Sequence, residues 1–220
     1  MLTRTLEPEI MDTPEEARDY DEMDHRQVNT LFVDDLLAAS EGQLGDVLDL
    51  GTGTAQIPIE LCSREVECRI MAADAAIAML DLARLNVEIA GLTMQIQLDH
   101  VDAKELSYDD DAFDTVMSNS IIHHIPEPLS VMREAVRVLK PGGLLFFRDL
   151  LRPNDEEQLQ QLVTQYAGEE SDHARQMFTD SLRAALSLEE VCALATALDL
   201  PTDGIEQTSD RHWTMAQRVG

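Results

Sequence analysis

The sequence predicts an α/β fold with a doubly wound, mostly parallel sheet that ends in an antiparallel strand. Three observations lead to this prediction. An apolar strand at 47–50 runs into a glycine turn and then into a helical pattern. Apolar runs of strand length then alternate with segments of helical periodicity as far as residue 149. Two short strand-like stretches finally flank a turn at 209–211. Alternating strands and helices are typical of a parallel sheet.

The individual elements follow in an order that suits this sheet. Residues 1–22 are polar and acidic, and we expect a flexible segment there. A helix at 24–40 precedes the sheet. Strands are predicted at 47–50, 68–74, 95–98, 113–119 and 144–149, and helices at 56–64, 77–90 and 128–139. Residues 23–220 are predicted to form one domain.

Beyond Pro153 the pattern changes to consecutive helices and then to two strands. Helices are predicted at 155–167, 172–185 and 188–198, and strands at 205–208 and 212–218. Ser187 and Glu190 have the spacing of a capping box for the last helix. We expect helical segments at about 23–40 and 154–199 to cover the sheet.

The charge balance argues against several kinds of partner. The chain has 16 Lys and Arg against 43 Asp and Glu, a net charge of -27 at pH 7. Because such a surface repels phosphate and anionic lipid, we expect neither a nucleic acid nor a membrane as partner. We expect a cytoplasmic protein, since no apolar run approaches membrane-spanning length. Cys62, Cys68 and Cys192 form no Cys-x-x-Cys pair, so no metal site is predicted.

The glycine turn after the first strand is typical of a nucleoside-cofactor site. Gly51 and Gly53 can adopt backbone angles that let main chain lie against a ligand. A dinucleotide pattern, Gly-x-Gly-x-x-Gly, would need a glycine where Gln56 stands. An acidic residue followed by Gly-x-Gly-x-Gly fits Asp49, Gly51 and Gly53, with Ala55 replacing the last glycine. A tight turn without a ligand is the alternative.

In this second pattern the loop resembles the first motif of the class I S-adenosylmethionine-dependent methyltransferases. The resemblance implies a set of loop residues at the cofactor: Asp49, Gly51, Thr52 and Gly53. Asp74, followed by Ala75, ends the next strand, where a carboxylate can accept hydrogen bonds from ribose hydroxyls. A carboxylate here also suits dinucleotide folds, and it could instead cap the helix that begins near residue 76.

Two further segments resemble motifs of the same family. Asp102 and Ala103 match its adenine-contacting segment, with Val101 where glycine is common, although a surface turn would also accommodate Asp102. Residues 113–126 begin with Phe-Asp, pass through Ser-Asn at Asn119 and end with a His-His pair, which resembles the fourth-strand motif of the small-molecule methyltransferases, including those of ubiquinone-type biosynthesis. The resemblance covers about residues 44–150 and implies S-adenosyl-L-methionine as cofactor, with Asn119 among its contacts.

Candidate residues for the methyl acceptor follow the fourth and fifth strands. His123 and His124 are candidate catalytic residues, since imidazole titrates near neutrality, although they could simply shape a turn. Arg148 and Arg152 are candidates for an anionic substrate group, although a structural acid partner is the alternative. Tyr20 and His25 lie in a segment that resembles one covering the methionine end of the cofactor, so we expect them near its carboxylate.

The sequence therefore predicts transfer of a methyl group to a small molecule, with S-adenosyl-L-homocysteine as product. A general base is needed only if the acceptor carries a poorly dissociated proton. One alternative is a catalytically silent, cofactor-binding sensor or partner protein. An NAD-dependent oxidoreductase is disfavoured by Gln56 and by the later motifs. We expect a monomer or a homodimer.

Overall fold

The computed structural model describes residues 2–7, 12–64, 67 and 69–220. Residues 8–11 of the predicted flexible segment lie outside this range, as does Cys68 at the start of the predicted second strand. Eight α-helices are described: α1 (Pro14–Glu22), α2 (Arg26–Ser40), α3 (Gln56–Ser63), α4 (Ile77–Ala90), α5 (Pro128–Val138), α6 (Glu156–Ala167), α7 (Asp172–Ala184) and α8 (Leu188–Ala197). A single 3-10 turn, Ile122–His124, precedes α5.

Seven strands form one mixed sheet in the order β3-β2-β1-β4-β5-β7-β6. Their bounds are β1 (Asp46–Leu50), β2 (Arg69–Asp74), β3 (Ile96–His100), β4 (Phe113–Asn119), β5 (Leu139–Leu150), β6 (Ile205–Gln207) and β7 (His212–Val219). The first four strands pair in parallel, and β6 pairs antiparallel with β7. The predicted α/β fold, Rossmann-like with an antiparallel C-terminal end, is confirmed.

The described residues group into two compact units. The larger comprises residues 12–119, 130–147 and 216–220. Its core has buried apolar side chains from β1, β4, α2 and α3, and the rings of Phe32 and Phe146 meet edge-on with centroids 5.1 Å apart. Strand β1 is buried at four of its five positions, from Val47 to Leu50. Such burial is expected of a central parallel strand with both faces covered.

The smaller unit comprises residues 2–7, 120–129 and 148–215. Leu159, Leu162 and Val163 of α6 pack with Leu182 of α7. Trp213 of β7 is fully buried in this unit. The Ser187 hydroxyl accepts from the Glu190 amide, and the Glu190 carboxylate accepts from the Ser187 amide, so the predicted capping box is present. The prediction of a single domain over 23–220 stays a prediction.

Two elements differ from the sequence prediction. Helix α1 lies within the segment predicted to be flexible, and it begins with Pro14 after a capping box formed by Thr13 and Glu16. The acidic composition of residues 1–22 obscured these local start signals. Strand β5 begins at Leu139, earlier than the predicted 144. The segment Pro141-Gly142-Gly143 is therefore part of β5, and Gly142 adopts a φ of +78° there.

In the part of the chain that the structure describes, no helix has both the length and the apolar character needed to cross a membrane.

Candidate functional site

The glycine turn is held against the end of β2 by main-chain hydrogen bonds. The amides of Gly51 and Thr52 both donate to the carbonyl of Ala73, at 2.8 and 3.0 Å. Gly51 and Gly53 have φ values of +72° and +55°, in the left-handed region that favours glycine. The turn therefore needs its two glycines for conformation, and they leave main chain rather than side chains on its surface.

Ala55, where the last glycine of the pattern is missing, also lies in the left-handed region, with φ +63° and ψ +24°. It is the N-cap of α3 and is fully buried. A Cβ in this conformation costs roughly 1–2 kcal/mol. The backbone thus retains the shape that a glycine would give at this position, at a cost in stability.

Asp74 ends β2 beside this turn. Its Oδ2 accepts a 2.7 Å hydrogen bond from the Gly53 amide, and its Oδ1 accepts from the Ala76 amide at 2.9 Å. Burial raises the pKa of Asp74, and the two amides oppose that shift. The carboxylate does not cap α4, because the N-cap of α4 is Ala76, and the Ala78 amide in its first turn donates to Asp12 Oδ1 at 3.0 Å. Asp74 fixes the glycine turn and remains half-buried at the strand end.

A second carboxyl group, Asp49, lies inside the larger unit on β1. Burial raises its pKa to about 7, the Thr52 hydroxyl opposes the shift, and the Asp74 charge adds to it. Asp49 is only 3% exposed. It is therefore a buried carboxyl group poised to gain or lose a proton near neutrality.

Tyr20 lies against the same turn, and His25 packs beside Tyr20. A Cβ added to Gly53 would stand 3.4 Å from Cε1 of Tyr20, so the phenol ring covers that glycine. The Tyr20 and His25 rings have centroids 4.7 Å apart. Burial and then the charges of Asp74 and Asp49 raise the pKa of Tyr20 to about 12, so the phenol is neutral at physiological pH. Cofactor contact by these two rings stays a prediction.

A polar network that the sequence did not predict fastens α1 over this region. Asp21 Oδ1 accepts from Gln56 Nε2 at 3.1 Å and from Asn86 Nδ2 at 2.9 Å. Asn86 also donates to the carbonyl of Thr54, in the glycine turn. In the sequence, Gln56 is informative only because it occupies the position of the third glycine of the dinucleotide pattern. Its amide instead joins α1 to the start of α3.

Two of the other predicted cofactor contacts, Asp102 and Ala75, have partners within the protein. Asp102 is exposed, accepts from the Lys104 amide at 2.9 Å and lies 3.3 Å from the Lys104 ammonium. The carbonyl of Ala75 faces His100 Nε2 at 3.0 Å. Ala103 follows Asp102 in the same turn, and Asn119 ends β4 half-buried. Cofactor contact by these four candidates, Ala75, Asp102, Ala103 and Asn119, stays a prediction.

In the smaller unit, His123 is anchored by a buried carboxylate. Its Nδ1 lies 2.5 Å from Oδ1 of Asp149. The other oxygen of Asp149 accepts from the amides of Ile122 and His123, at 2.6 and 3.2 Å. Burial lowers the pKa of His123, but Asp149 and Glu7 outweigh it, so the net shift is upward. For Asp149, burial raises the pKa and His123 more than reverses the effect.

Glu7 completes this cluster from near the N-terminus. Its Oε1 lies 3.4 Å from Nε2 of His123 and 3.1 Å from Nδ1 of His124, and the two rings have centroids 4.1 Å apart. Its Oε2 accepts from the Ser181 hydroxyl at 3.1 Å. Sequence reasoning missed Glu7, because nothing in its local pattern distinguishes it from the other acids of the N-terminal segment.

Both predicted substrate arginines are bonded within the protein. Arg148 donates from Nε to the Thr214 hydroxyl at 2.9 Å. Arg152 donates to the Ala185 carbonyl at 3.1 Å and to the Glu190 carboxylate at 2.8 Å. Both side chains are buried. The acid partner of the structural alternative is present for Arg152, as Glu190. Contact of either arginine with a substrate stays a prediction.

Comparisons with known proteins agree with the family resemblance. A family model described as a methyltransferase domain matches residues 48–147. The 27-O-demethylrifamycin SV methyltransferase of Amycolatopsis mediterranei is 29% identical over 86% of this chain and 68% of its own length. The ubiquinone biosynthesis O-methyltransferase of Ruegeria pomeroyi is 34% identical over 44% of this chain and 38% of its own.

Among solved structures, the plantazolicin methyltransferase BamL, in complex with a triazolic desmethylPZN analog and SAH, superposes with a TM-score of 0.70. It is 18% identical, and the match covers 88% of this chain and 71% of BamL. At that identity the likeness concerns the fold. The chain spans less than half the length of most curated relatives it matches.

Proposed function

We propose that this chain is a class I S-adenosylmethionine-dependent methyltransferase and that it transfers the methyl group of S-adenosyl-L-methionine to a small-molecule acceptor. The sulfonium makes the methyl carbon electrophilic. A nucleophile held in line with the breaking carbon–sulfur bond displaces S-adenosyl-L-homocysteine, and positioning alone lowers the barrier by several kcal/mol. The two relatives described above carry the names of small-molecule methyltransferases, which supports this class of acceptor.

The observation that carries the proposal is the hydrogen bond between Asp74 and the Gly53 amide. It joins the glycine turn to the strand end where a nucleoside's ribose binds in folds of this type. The Asp74 carboxylate has further lone pairs for the ribose hydroxyls, since each of its oxygens accepts one amide in the structure. The left-handed Gly51 and Gly53 keep side chains away from the same place.

For the acceptor, we propose that His124 and His123 act on its reacting group. An imidazole lone pair can take the proton that a hydroxyl or amine nucleophile must lose. His124 is the more exposed of the two, whereas His123 is buried against Asp149. His124 is therefore the better candidate for direct contact with the acceptor. His123 is the better candidate for holding His124 in position.

A transfer assay tests this function. Purified protein is incubated with S-adenosyl-L-methionine labelled in the methyl group and a library of small hydroxylated, amine-bearing and carboxylate-bearing metabolites. We expect label in at least one acceptor, and a much lower kcat for His124→Ala with unchanged S-adenosyl-L-homocysteine affinity. His173→Ala, which removes an exposed imidazole on α7, is the matched control. Cofactor binding without transfer to any acceptor would instead favour a sensor.

A further inference from the structure

Three groups that can bind a metal ion converge in the smaller unit. They are Oε1 of Glu7, Nε2 of His123 and Nδ1 of His124, and all three atoms lie within 4.8 Å of one another. We propose that they form a binding site for a divalent transition-metal ion of the Zn²⁺ class. All three residues belong to the smaller unit. The proposal differs from the expectation, drawn from the cysteines, that the chain has no metal site.

The distances suit a tetrahedral ion. Zn²⁺ binds histidine nitrogen at about 2.0–2.1 Å and carboxylate oxygen at about 2.0–2.2 Å, which places neighbouring ligand atoms roughly 3.4 Å apart. Glu7 Oε1 lies 3.4 Å from His123 Nε2 and 3.1 Å from His124 Nδ1. The distances from Glu7 to the two histidines therefore match the spacing of ligands on such an ion.

The cluster is poorly explained as a hydrogen-bond network. Glu7 Oε1 is buried and, among the described residues, no hydrogen bond reaches it, although two ring nitrogens lie within 3.4 Å. A buried carboxylate oxygen without a hydrogen bond is costly. A cation bound among the three ligand atoms would compensate this oxygen.

Asp149 supports His123 as a metal ligand. When His123 Nδ1 donates its proton to Asp149, the Nε2 lone pair faces Glu7, and metal-binding histidines usually donate their other ring N–H in this way. Ser181 similarly fixes the second oxygen of Glu7. The ligands are thus held by partners of their own.

Some charges around the cluster oppose a bound cation and others favour it. Arg4 donates to the carbonyls of His123 and Ile125, at 3.1 and 2.9 Å, and its positive charge opposes a cation. The carboxylates of Glu7 and Asp149 favour one. Two neutral imidazoles and one carboxylate leave a fourth position on a tetrahedral ion, as in catalytic zinc sites.

Metal binding can be measured without the cofactor or an acceptor. Chelator-treated protein is titrated with Zn²⁺ by calorimetry and with Co²⁺ by visible absorption. We expect one ion per chain and the intense ligand-field bands of tetrahedral Co²⁺. Glu7→Gln and His124→Ala should each weaken Zn²⁺ binding at least tenfold, a loss typical of disturbing such a site. His173→Ala should change neither readout.

Several results would overturn the site. These are the absence of saturable binding, octahedral Co²⁺ bands alone, or unchanged affinity in Glu7→Gln and His124→Ala. Circular dichroism checks that each variant is folded. If a variant does not fold, the Co²⁺ spectrum of the wild-type protein still tests the site, because only a site with few, fixed ligands gives tetrahedral bands. Since these readouts use neither cofactor nor acceptor, failure here leaves the proposed methyl transfer intact, and the reverse also holds.

Discussion

The Asp74 carboxylate accepts a 2.7 Å hydrogen bond from the Gly53 amide, across the gap between the end of β2 and the glycine turn after β1. This contact links the glycine turn, which the sequence predicts to lie against the cofactor, to the strand end that it predicts to bind the ribose. A single carboxylate thus both shapes the turn and remains available to a ribose.

Replacing this carboxylate should weaken cofactor binding. In Asp74→Asn one oxygen becomes an amide nitrogen, which cannot accept a hydrogen bond from Gly53 or from the ribose. Hydrogen bonds to charged groups contribute about 1.5–3 kcal/mol. We expect affinity for S-adenosyl-L-homocysteine to fall about 10- to 100-fold by calorimetry. Asp81→Asn, at an exposed acid on α4, is the control, and equal losses in both variants would refute a specific role for Asp74.

Ala55→Gly should stabilise the protein. Ala55 has a φ of +63°, where a Cβ costs roughly 1–2 kcal/mol, while the flexibility that glycine adds to the unfolded chain costs about 0.4–1 kcal/mol. The free energy of unfolding should therefore rise by about 1 kcal/mol, as measured by urea denaturation. Gly91 ends α4 at a similar angle, so Gly91→Ala provides the reverse change and should destabilise. A loss of stability in Ala55→Gly would show that the left-handed angle is not strained.

Asp49 should make stability depend on pH. Its pKa is about 7 in the folded chain against an ordinary value of 3.8, so the folded state keeps a proton that the unfolded state releases. Stability from this group is therefore lost as pH rises from about 4 to 7.

Asp49→Asn, which mimics the protonated form, removes that dependence. Its free energy of unfolding relative to wild type should increase by about 1–3 kcal/mol between pH 5 and 7.5. Urea denaturation at both values measures the difference. A constant difference across this range would mean that Asp49 is ionised throughout.

Asp21 should control how firmly α1 is held. Asp21→Ala leaves the half-buried amides of Gln56 and Asn86 without their shared acceptor. An unsatisfied donor costs about 1 kcal/mol or more. Hydrogen exchange of α1 amides should therefore quicken about fivefold or more, with little change in the sheet. Asp19→Ala, an exposed acid on the same helix, should leave exchange unchanged. Equal exchange in both variants would mean that the network does not hold α1.

The sequence predicted the sheet and the donor side of the site because their signals are local. The strand, the turn of Gly51 and Gly53, and the acid at Asp74 each follow from neighbouring residues. The polar network joins three separate helices through Asp21, Gln56 and Asn86. No periodic pattern in the sequence predicts hydrogen bonds between such distant residues. Glu7 likewise meets His123 and His124 from far away in sequence. The sequence did not predict helix α1, because the acidic composition of residues 1–22 indicated a flexible segment. The start signal of the helix is only the capping box of Thr13 and Glu16.

Calorimetric titration of the wild-type chain with S-adenosyl-L-homocysteine and, separately, with NAD tests the central claim most directly. The geometry around Gly53 and Asp74, together with Gln56 in place of a third glycine, predicts saturable binding of S-adenosyl-L-homocysteine at one site per chain and none of NAD. Saturable binding of NAD without S-adenosyl-L-homocysteine binding would contradict the account.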